Sequence, residues 1–349
     1  MPLWKSARRT SLVSHGSTDV PGNHIGQALQ LTTFGESHGA ALGAVIDGLP
    51  AGLPVDPSKL QRDLDRRRPG RLPGGTGRQE PDKAEILSGV FQDQTLGTPV
   101  AVIIRNVDAR PEDYDALKTV YRPGHGDRST ELKYGRRDHR GGGRSSGRET
   151  AARVIGGYFA GLVLPEACQV QAWIDQLGPF QSAGDGPLGA YGLRGVDDAE
   201  VEAWLLRLKA QGESVGALLR CRVHHCPPGL GEPVFDKLKA DLAKAVMSIG
   251  AVTSFAYGLG ADFGSSFGQT VTAEPAHFGG IEGGISTGEP INLSLTVRPP
   301  STVGENAKAG RHDPCIAPRV LPVVEAMVRF VLADHYLRQR ALDTGAVAP

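Results

Sequence analysis

The run Arg140-Gly141-Gly142-Gly143-Arg144-Ser145-Ser146-Gly147-Arg148-Glu149-Thr150 concentrates chemistry in one short stretch. Its glycines let the backbone turn freely and bring N–H groups close to an anion. Ser146 with Glu149 three residues on reads as a capping box, so a helix starts where this loop ends. Ala151, Val154, Ile155, Tyr158, Phe159 and Leu162 then follow at helical spacing. A helix N-terminus flanked by Arg144, Arg148 and two hydroxyls can hold a phosphate or a carboxylate. An arginine–glycine segment that touches RNA would repeat and would lack the cap.

His38 lies between Ser37 and Gly39, and His125 follows Arg122-Pro123-Gly124. Both sit in glycine-bounded loops without apolar periodicity, unlike a histidine that fills a core. A neutral imidazole can give or take a proton, and nearby arginines shift its pKa. Singly, each is an ordinary loop histidine; as a pair beside arginine clusters they become candidates for proton transfer. Arg311-His312-Asp313-Pro314 sets a cation beside a carboxylate just ahead of the last long helix, which Asp313 also suits as a cap. Cys315 has no paired base and reads as a small buried residue. His224-His225-Cys226 is compact and has no second ligand pair, so it reads as a strand end, and no metal site is expected.

Composition narrows what such groups serve. Lys plus Arg equals Asp plus Glu at 38 each, so no global field attracts DNA or anionic lipid. Aromatic residues make up 6%, which leaves no stacking platform for single-stranded nucleic acid. The arginines are gathered all the same: one group includes Arg62, Arg66, Arg67, Arg68, Arg71 and Arg78, and another runs from Arg122 to Arg153. Local positive wells on a neutral chain suit a small, multiply anionic ligand. The four cysteines form no CxxC pair, which fits a reducing, cytoplasmic setting. The N-terminal stretch, free of acids until Asp19, loosely resembles a transit peptide but has no convincing amphipathic face, and reads as an extension.

Hydrophobic periodicity alternates between two and about 3.6 residues, so strands and helices mix. Strands are expected at 42–47, 100–104, 215–223 and Ile291–Val297, the last alternating apolar and polar residues along one buried face. Helices are expected at Pro57–Arg67, 150–164, 233–249 and 320–340. The first has Asp56 as N-cap, Pro57 at its first position and Pro69-Gly70 as its stop. One pattern occurs twice, a Pro/Gly-rich turn leading into Leu60 and Asp63-Leu64, and again into Leu238 and Asp241-Leu242. A duplicated strand–turn–helix unit is the physical reading. Residues 23–340 are therefore expected as one domain of two similar halves, with 1–22 a poorly ordered extension and 341–349 a tail.

Beyond the glycine run, an ordered set of segments resembles the chorismate synthase family across residues 22 to about 340. It comprises Thr33-Phe34-Gly35-Glu36-Ser37-His38-Gly39, Ile86-Leu87-Ser88-Gly89-Val90, Arg122-Pro123-Gly124-His125, Lys133-Tyr134-Gly135, residues 141–153, Gly279-Gly280-Ile281-Glu282-Gly283-Gly284-Ile285-Ser286 and Gly310-Arg311-His312-Asp313-Pro314-Cys315. The resemblance implies an α+β protein, a β-α-β-α sandwich, assembled as a homotetramer. It implies a lyase of the shikimate pathway that uses reduced FMN (FMNH2), with NAD(P)H as a candidate reductant. The reaction is anti-1,4-elimination of phosphate from 5-enolpyruvylshikimate 3-phosphate to give chorismate. By the same resemblance Arg144, Ser145, Ser146, Gly250, Ala251 and Gly283 would bind the flavin. Arg298, Pro299, Pro300, Ser301, Thr302 and Arg311 would bind it too. Arg67, Arg78, Arg148 and Arg311 would grip the substrate's phosphate and carboxylates. His125 would hydrogen-bond or protonate the flavin, His38, oriented by Ser37, would protonate the departing phosphate, and Asp313 would tune flavin N5.

The chain departs from the family pattern at Pro73, at Gly126-Asp127-Arg128-Ser129-Thr130, at Ala276 and at Arg298. Two stretches, around 258–274 and between Thr302 and Gly310, are short. They motivate an alternative of another class, a flavin- or phosphate-binding relative with impaired catalysis.

Overall fold

The computed structural model describes residues 22–75, 80–108, 118–308 and 313–342. Arg78, Arg311 and His312 lie outside the described residues, as do nearly all of the expected extension and tail. The first half of the chain forms β1 (His24–Ile25), β2 (Gln30–Gly35), β3 (Ala41–Asp47), α1 (Pro57–Arg67) and β4 (Ala84–Ile86). A hairpin of β5 (Val90–Phe91) and β6 (Gln94–Thr95), then β7 (Val100–Arg105), α2 (Asp127–Tyr134) and α3 (Thr150–Gly161) complete it. The second half opens with β8 (Gln169–Leu177), β9 (Phe180–Gln181), α4 (Asp198–Gln211), β10 (Ala217–His224) and α5 (Leu238–Met247). It continues through β11 (Val252–Tyr257), α6 (Gly268–Thr272) and a hairpin of β12 (Ile281–Glu282) and β13 (Ile285–Ser286). β14 (Ile291–Val297), α7 (Glu305–Lys308) and α8 (Ala317–Leu342) end it.

Two five-stranded sheets result, ordered β1-β2-β3-β7-β4 and β9-β8-β10-β14-β11, with every pairing antiparallel. Without the edge strands β1 and β9 the sheets read alike, β2-β3-β7-β4 against β8-β10-β14-β11. Chain order matches as well: β2, β3, α1, β4, β7, α3 parallels β8, β10, α5, β11, β14, α8. The turn pattern seen twice in the sequence falls on β3–α1 and β10–α5, the same place in each half. The α+β character is thus borne out.

Helices α1, α3, α5 and α8 fill the space between the sheets, α3 resting on β2 and β3 while α8 rests on β8 and β10. At the seam α3 and α8 approach backbone to backbone, because Gly157 presents no side chain. A Cβ there would fall 2.3 Å from Ala326 Cα. Glycine inside a helix costs roughly 1 kcal/mol of propensity, which this close packing offsets. One cluster of buried apolar residues runs through both halves.

Local chemistry explains the boundaries. In α1, Asp56 Oδ1 accepts from the N–H groups of Ser58 (2.8 Å) and Lys59 (3.3 Å), satisfying donors that a helix start leaves free. In β14, Ile291, Leu293, Leu295 and Val297 are buried and alternate with half-buried polar residues. The helix expected from 233 begins only at Leu238, after a turn in which Asp236 accepts from Gln27 and Arg338. The helix expected to 164 stops at Gly161, and the last helix extends from Ala317 to Leu342. The capping box is only half made. Ser146 Oγ accepts from Arg148 N at 3.3 Å, but a 3-10 turn over Gly147–Glu149 precedes α3. Glu149 reaches instead to Thr33 Oγ1 and Arg153 Nε, both at 2.9 Å, since a guanidinium is a better partner for a buried carboxylate than one amide. His224 ends β10, as a strand-end reading of the His-His-Cys run expects.

Candidate active site

Equivalent pieces of the two halves surround one cleft of about 510 Å³. The C-terminal end of α1 contributes Arg67 and Pro69, and the end of α5 contributes Ile249, Gly250 and Ala251. The crossover from β7 to α3 contributes His125, Ser145, Ser146 and Arg148. The matching crossover from β14 to α8 contributes Arg298, Pro300, Ser301, Thr302 and Asp313. The N-terminal ends of α3 and α8 both border this space, and their free amides favour negative charge.

The two crossovers are fastened together at Gly124. Its carbonyl accepts from Arg298 Nη2 at 3.0 Å and from Ser301 Oγ at 3.3 Å. Gly124 has φ +70°, and a Cβ on it would sit 2.5 Å from Ser301 Oγ, so glycine is needed for the conformation and the approach. The loop bearing His125 is closed by Asp127, which takes hydrogen bonds from Arg122 Nη2 (2.7 Å), Nε (2.9 Å) and backbone N (3.0 Å). Burial alone would raise the Asp127 pKa; the Arg122 hydrogen bonds and charge outweigh it and hold the carboxyl below its ordinary range. His125 Nδ1 lies 2.9 Å from the Pro123 carbonyl, which can only accept, so that nitrogen carries hydrogen and Nε2 is left for a ligand.

Asp313 is held by the first turn of α8. Its Oδ2 pairs with Arg319 Nη1 at 2.6 Å, and Arg319 Nε donates to the Arg67 carbonyl at 3.3 Å. Cys315 is buried beside it, its thiol pushed up to about 12 chiefly by burial, which keeps it protonated and unreactive.

Arg67 and Arg148 are 1% and 4% exposed, unusual for arginines. Asp82, fully buried, serves both: Arg67 Nη2 lies 3.0 Å from its Oδ2, and Arg148 Nη1 donates to its Oδ1. Arg148 also donates from Nε to Asn106 Oδ1 at 2.9 Å and has Glu80 Oε2 at 3.6 Å from Nη2. Burial lowers the Arg67 pKa to about 10, with the charges of Arg319 and Arg148 adding to the fall and Asp82 opposing it. Arg67 Nε and Arg148 Nη2 are nonetheless buried without a hydrogen-bond partner. Buried donors left without a hydrogen bond are costly, and because both arginines line the cleft these two suit an anion.

Of the residues singled out in the sequence, the cleft gathers His125, Asp313, Arg67, Arg148, Ser145 and Ser146, together with Gly250, Ala251, Arg298, Pro300, Ser301 and Thr302. His38 and Ser37 are one step away. Ser37 Oγ is 3.1 Å from His38 Nδ1, and a Cβ on Gly141 would lie 2.5 Å from that nitrogen, so the pair sits against the triple-glycine turn. Arg144 points from the turn to Asn23 Oδ1 (3.1 Å), Thr33 O (3.0 Å) and Gly35 O (3.1 Å), anchoring the loop to β2. Pro299 is not among the lining residues; its carbonyl accepts from Arg298 Nη1 at 3.0 Å. Gly283 lies apart, in the β12–β13 hairpin at the N-terminal end of α5, where its carbonyl accepts from Lys237 Nζ at 2.9 Å. Asp82, Glu80 and Arg319 escaped sequence reasoning; the one signal for the acids was Glu80-Pro81-Asp82 following a block of arginines.

Ile249, Ala251, Ile316, Val320 and Val323 add an apolar part to the lining. Ala251 holds φ +72°, a strained conformation for any residue with a Cβ. A basic wall, an apolar wall and a histidine in one cleft of a duplicated α+β sandwich define an enzyme that handles small anionic molecules. Comparison with known proteins carries this further. A family model described as chorismate synthase matches residues 29–337. The chorismate synthase of Christiangramia forsetii is 41% identical, over 92% of this chain and 99% of the relative. That of Bdellovibrio bacteriovorus is 45% identical over 91% and 98%, and that of Synechocystis sp. 40% over 92% and 98%. A crystal structure of chorismate synthase superimposes with a TM-score of 0.71 at 28% identity, covering 91% of this chain and 98% of that one. The chain belongs to the chorismate synthase family, lyases of aromatic amino acid biosynthesis that act on a small-molecule substrate. No support emerges for the impaired-relative alternative. No helix among the described residues is long and apolar enough to cross a membrane.

Proposed function

We propose that the cleft binds reduced FMN and 5-enolpyruvylshikimate 3-phosphate together and eliminates phosphate to give chorismate. The observation that carries this reading is the meeting of His125, Asp313 and two incompletely bonded buried arginines with an apolar wall in one cleft. At about 510 Å³ the cleft falls within the roughly 300–1,000 Å³ of a small-ligand pocket.

The residues present fit a flavin. Ile249, Ala251, Val320 and Val323 offer an apolar wall for a flat ring system, and a Cβ added to Gly250 would meet nothing within 4 Å, which leaves room for one. Ser145, Ser146, Ser301, Thr302 and Arg298 provide polar groups for the phosphate tail and ring edge. When bound, reduced FMN supplies an electron-rich ring that assists departure of the phosphate.

The chain's own groups do the rest. Arg67 and Arg148 neutralise the phosphate, and because they are fixed by Asp82 they need little rearrangement as charge builds on the leaving oxygen. His125 holds a proton on Nδ1 through the Pro123 carbonyl and presents Nε2 to the ligands. Asp313, paired with Arg319, keeps a fixed negative charge at the mouth of α8. His38, oriented by Ser37, is assigned as proton donor to the departing phosphate, reaching it past Gly141. Arg78 and Arg311 remain part of the proposed substrate and flavin grip on family grounds, as do Gly283 and Pro299. A homotetramer, a cytoplasmic setting and NAD(P)H as an outside reductant belong to the same proposal.

Anaerobic incubation with dithionite-reduced FMN and the substrate, followed by phosphate release and chorismate absorbance, tests the reading. The wild-type chain should turn over, and His125→Ala and Asp313→Ala should each slow it about 100-fold or more with the fold intact. Near-normal rates in both variants would remove those residues from the mechanism.

A further inference from the structure

We infer that Asp82 is a positioning residue for the anion grip: a shared counter-ion that holds Arg67 and Arg148 side by side and leaves Arg67 Nε and Arg148 Nη2 to the ligand. The inference rests on the reading of the cleft given above. Two guanidinium groups brought this close out of water repel each other, and each prefers solvent. One carboxylate lying between them removes both difficulties, and its two oxygens are divided between them, Oδ2 to Arg67 and Oδ1 to Arg148.

Other contacts complete the hold. Arg67 Nη1 donates to the Gly147 carbonyl at 2.9 Å and to Thr150 Oγ1 at 3.2 Å, tying it to the start of α3. Arg148 is held through Nε by Asn106. Subtracting these bonds from each fork leaves Arg67 Nε and Arg148 Nη2 as the buried donors with no hydrogen-bond partner. Both arginines line the cleft, so the donors that Asp82 and its neighbours do not take lie beside the ligand space.

The backbone at Asp82 supports the same assignment. Its φ is +46°, a conformation that costs most residues free energy and that aspartate and asparagine tolerate best. Strain of this kind persists where the surroundings over-determine it, as at ligand grips. Glu80, two residues earlier, adds a second and longer-range charge, 3.6 Å from Arg148, while its Oε2 also accepts from Val107 N at 3.1 Å.

Asp82→Asn tests the charge, because asparagine keeps the shape, one acceptor and the tolerance for this φ. In the anaerobic assay kcat/KM should fall about 100-fold, the scale of a misplaced binding group, while the FMN dissociation constant stays within about twofold. Asp82→Glu should recover more of the rate than Asp82→Ala. A purely structural role predicts a lower melting temperature with kcat/KM unchanged below it, and that result would overturn the inference. Should Asp82→Asn fail to fold, Glu80→Gln carries the test. It keeps an acceptor for Val107 and should still lower kcat/KM several-fold, whereas an unchanged value counts against the shared counter-ion. A wild-type chain that neither binds nor turns over the substrate would remove the proposed function, and the inference with it.

Discussion

The two halves of this chain share a topology and differ in what they bring to the cleft. The first half ends α1 with Arg67 and enters α3 through Arg148 and Thr150, joined in a network with Asp82 and Glu80. The second half ends α5 before Ile249-Gly250-Ala251 and enters α8 through Ile316, Val320 and Val323. A duplicated scaffold therefore supplies two matched sets of helix ends around one cleft. In the proposed reading one set serves as an anion grip and the other, alongside Arg298, Asp313 and Arg319, adds an apolar surface. The proposed chemistry calls for both, because a departing phosphate is stabilised by fixed charge while a flat ring is held by apolar area.

The harshest way to break this arrangement is at the seam that joins the halves. Gly157→Ala would set a methyl group 2.3 Å from Ala326 Cα, where the obstacle is backbone and cannot swing aside. We expect a loss of about 3 kcal/mol or more in thermal unfolding, the upper end for overpacking. Gly161→Ala on the same helix, whose new methyl would meet only Arg329 Cδ at 3.6 Å, should leave the melting temperature unchanged or slightly higher. Equal behaviour of the two variants would deny the seam its role.

A pair of smaller effects separates the two walls. Arg148→Ala should lower kcat/KM about 100-fold with the FMN dissociation constant nearly unchanged. Ile316→Ala, at a half-buried apolar position of the same cleft, should do the opposite, weakening FMN about tenfold through lost apolar contact at about 0.8 kcal/mol per methylene. If both variants affected the same constant, grip and platform would not be distinct.

The smallest expected effect concerns the His125 loop and pH. Asp127 has a folded pKa below its ordinary 3.8, so its contribution to stability is present above that value and lost as pH falls through the lower folded value. Wild-type melting temperature should therefore drop more steeply below about pH 4 than that of Asp127→Asn. Parallel curves would show that Arg122 and Asp127 do not clamp the loop.

Much of the fold was legible because local signals were strong. Asp56, Pro57 and the Pro69-Gly70 stop delimit α1 as expected, and alternation alone reveals β14. The start of α5 was missed because Asp236 is committed to Gln27 and Arg338, contacts that span 209 and 102 residues of sequence. The capping role expected of Glu149 fails for a similar reason: its partner Thr33 lies 116 residues away. The site divides the same way. The histidines, the glycine turn and the basic clusters stand out locally, whereas Asp82 lies 15 residues from Arg67 and 66 from Arg148, and only the fold joins them.

A crystal structure of the protein with FMN and the phosphorylated substrate tests the shared cleft most directly. The flavin ring should lie against Ile249, Ala251, Val320 and Val323, with the phosphate within hydrogen-bond reach of Arg67 Nε and Arg148 Nη2. Flavin found elsewhere, for instance on the outer face of the second sheet beside Arg220 and Tyr257, or a phosphate that leaves both donors unbound, would contradict the account.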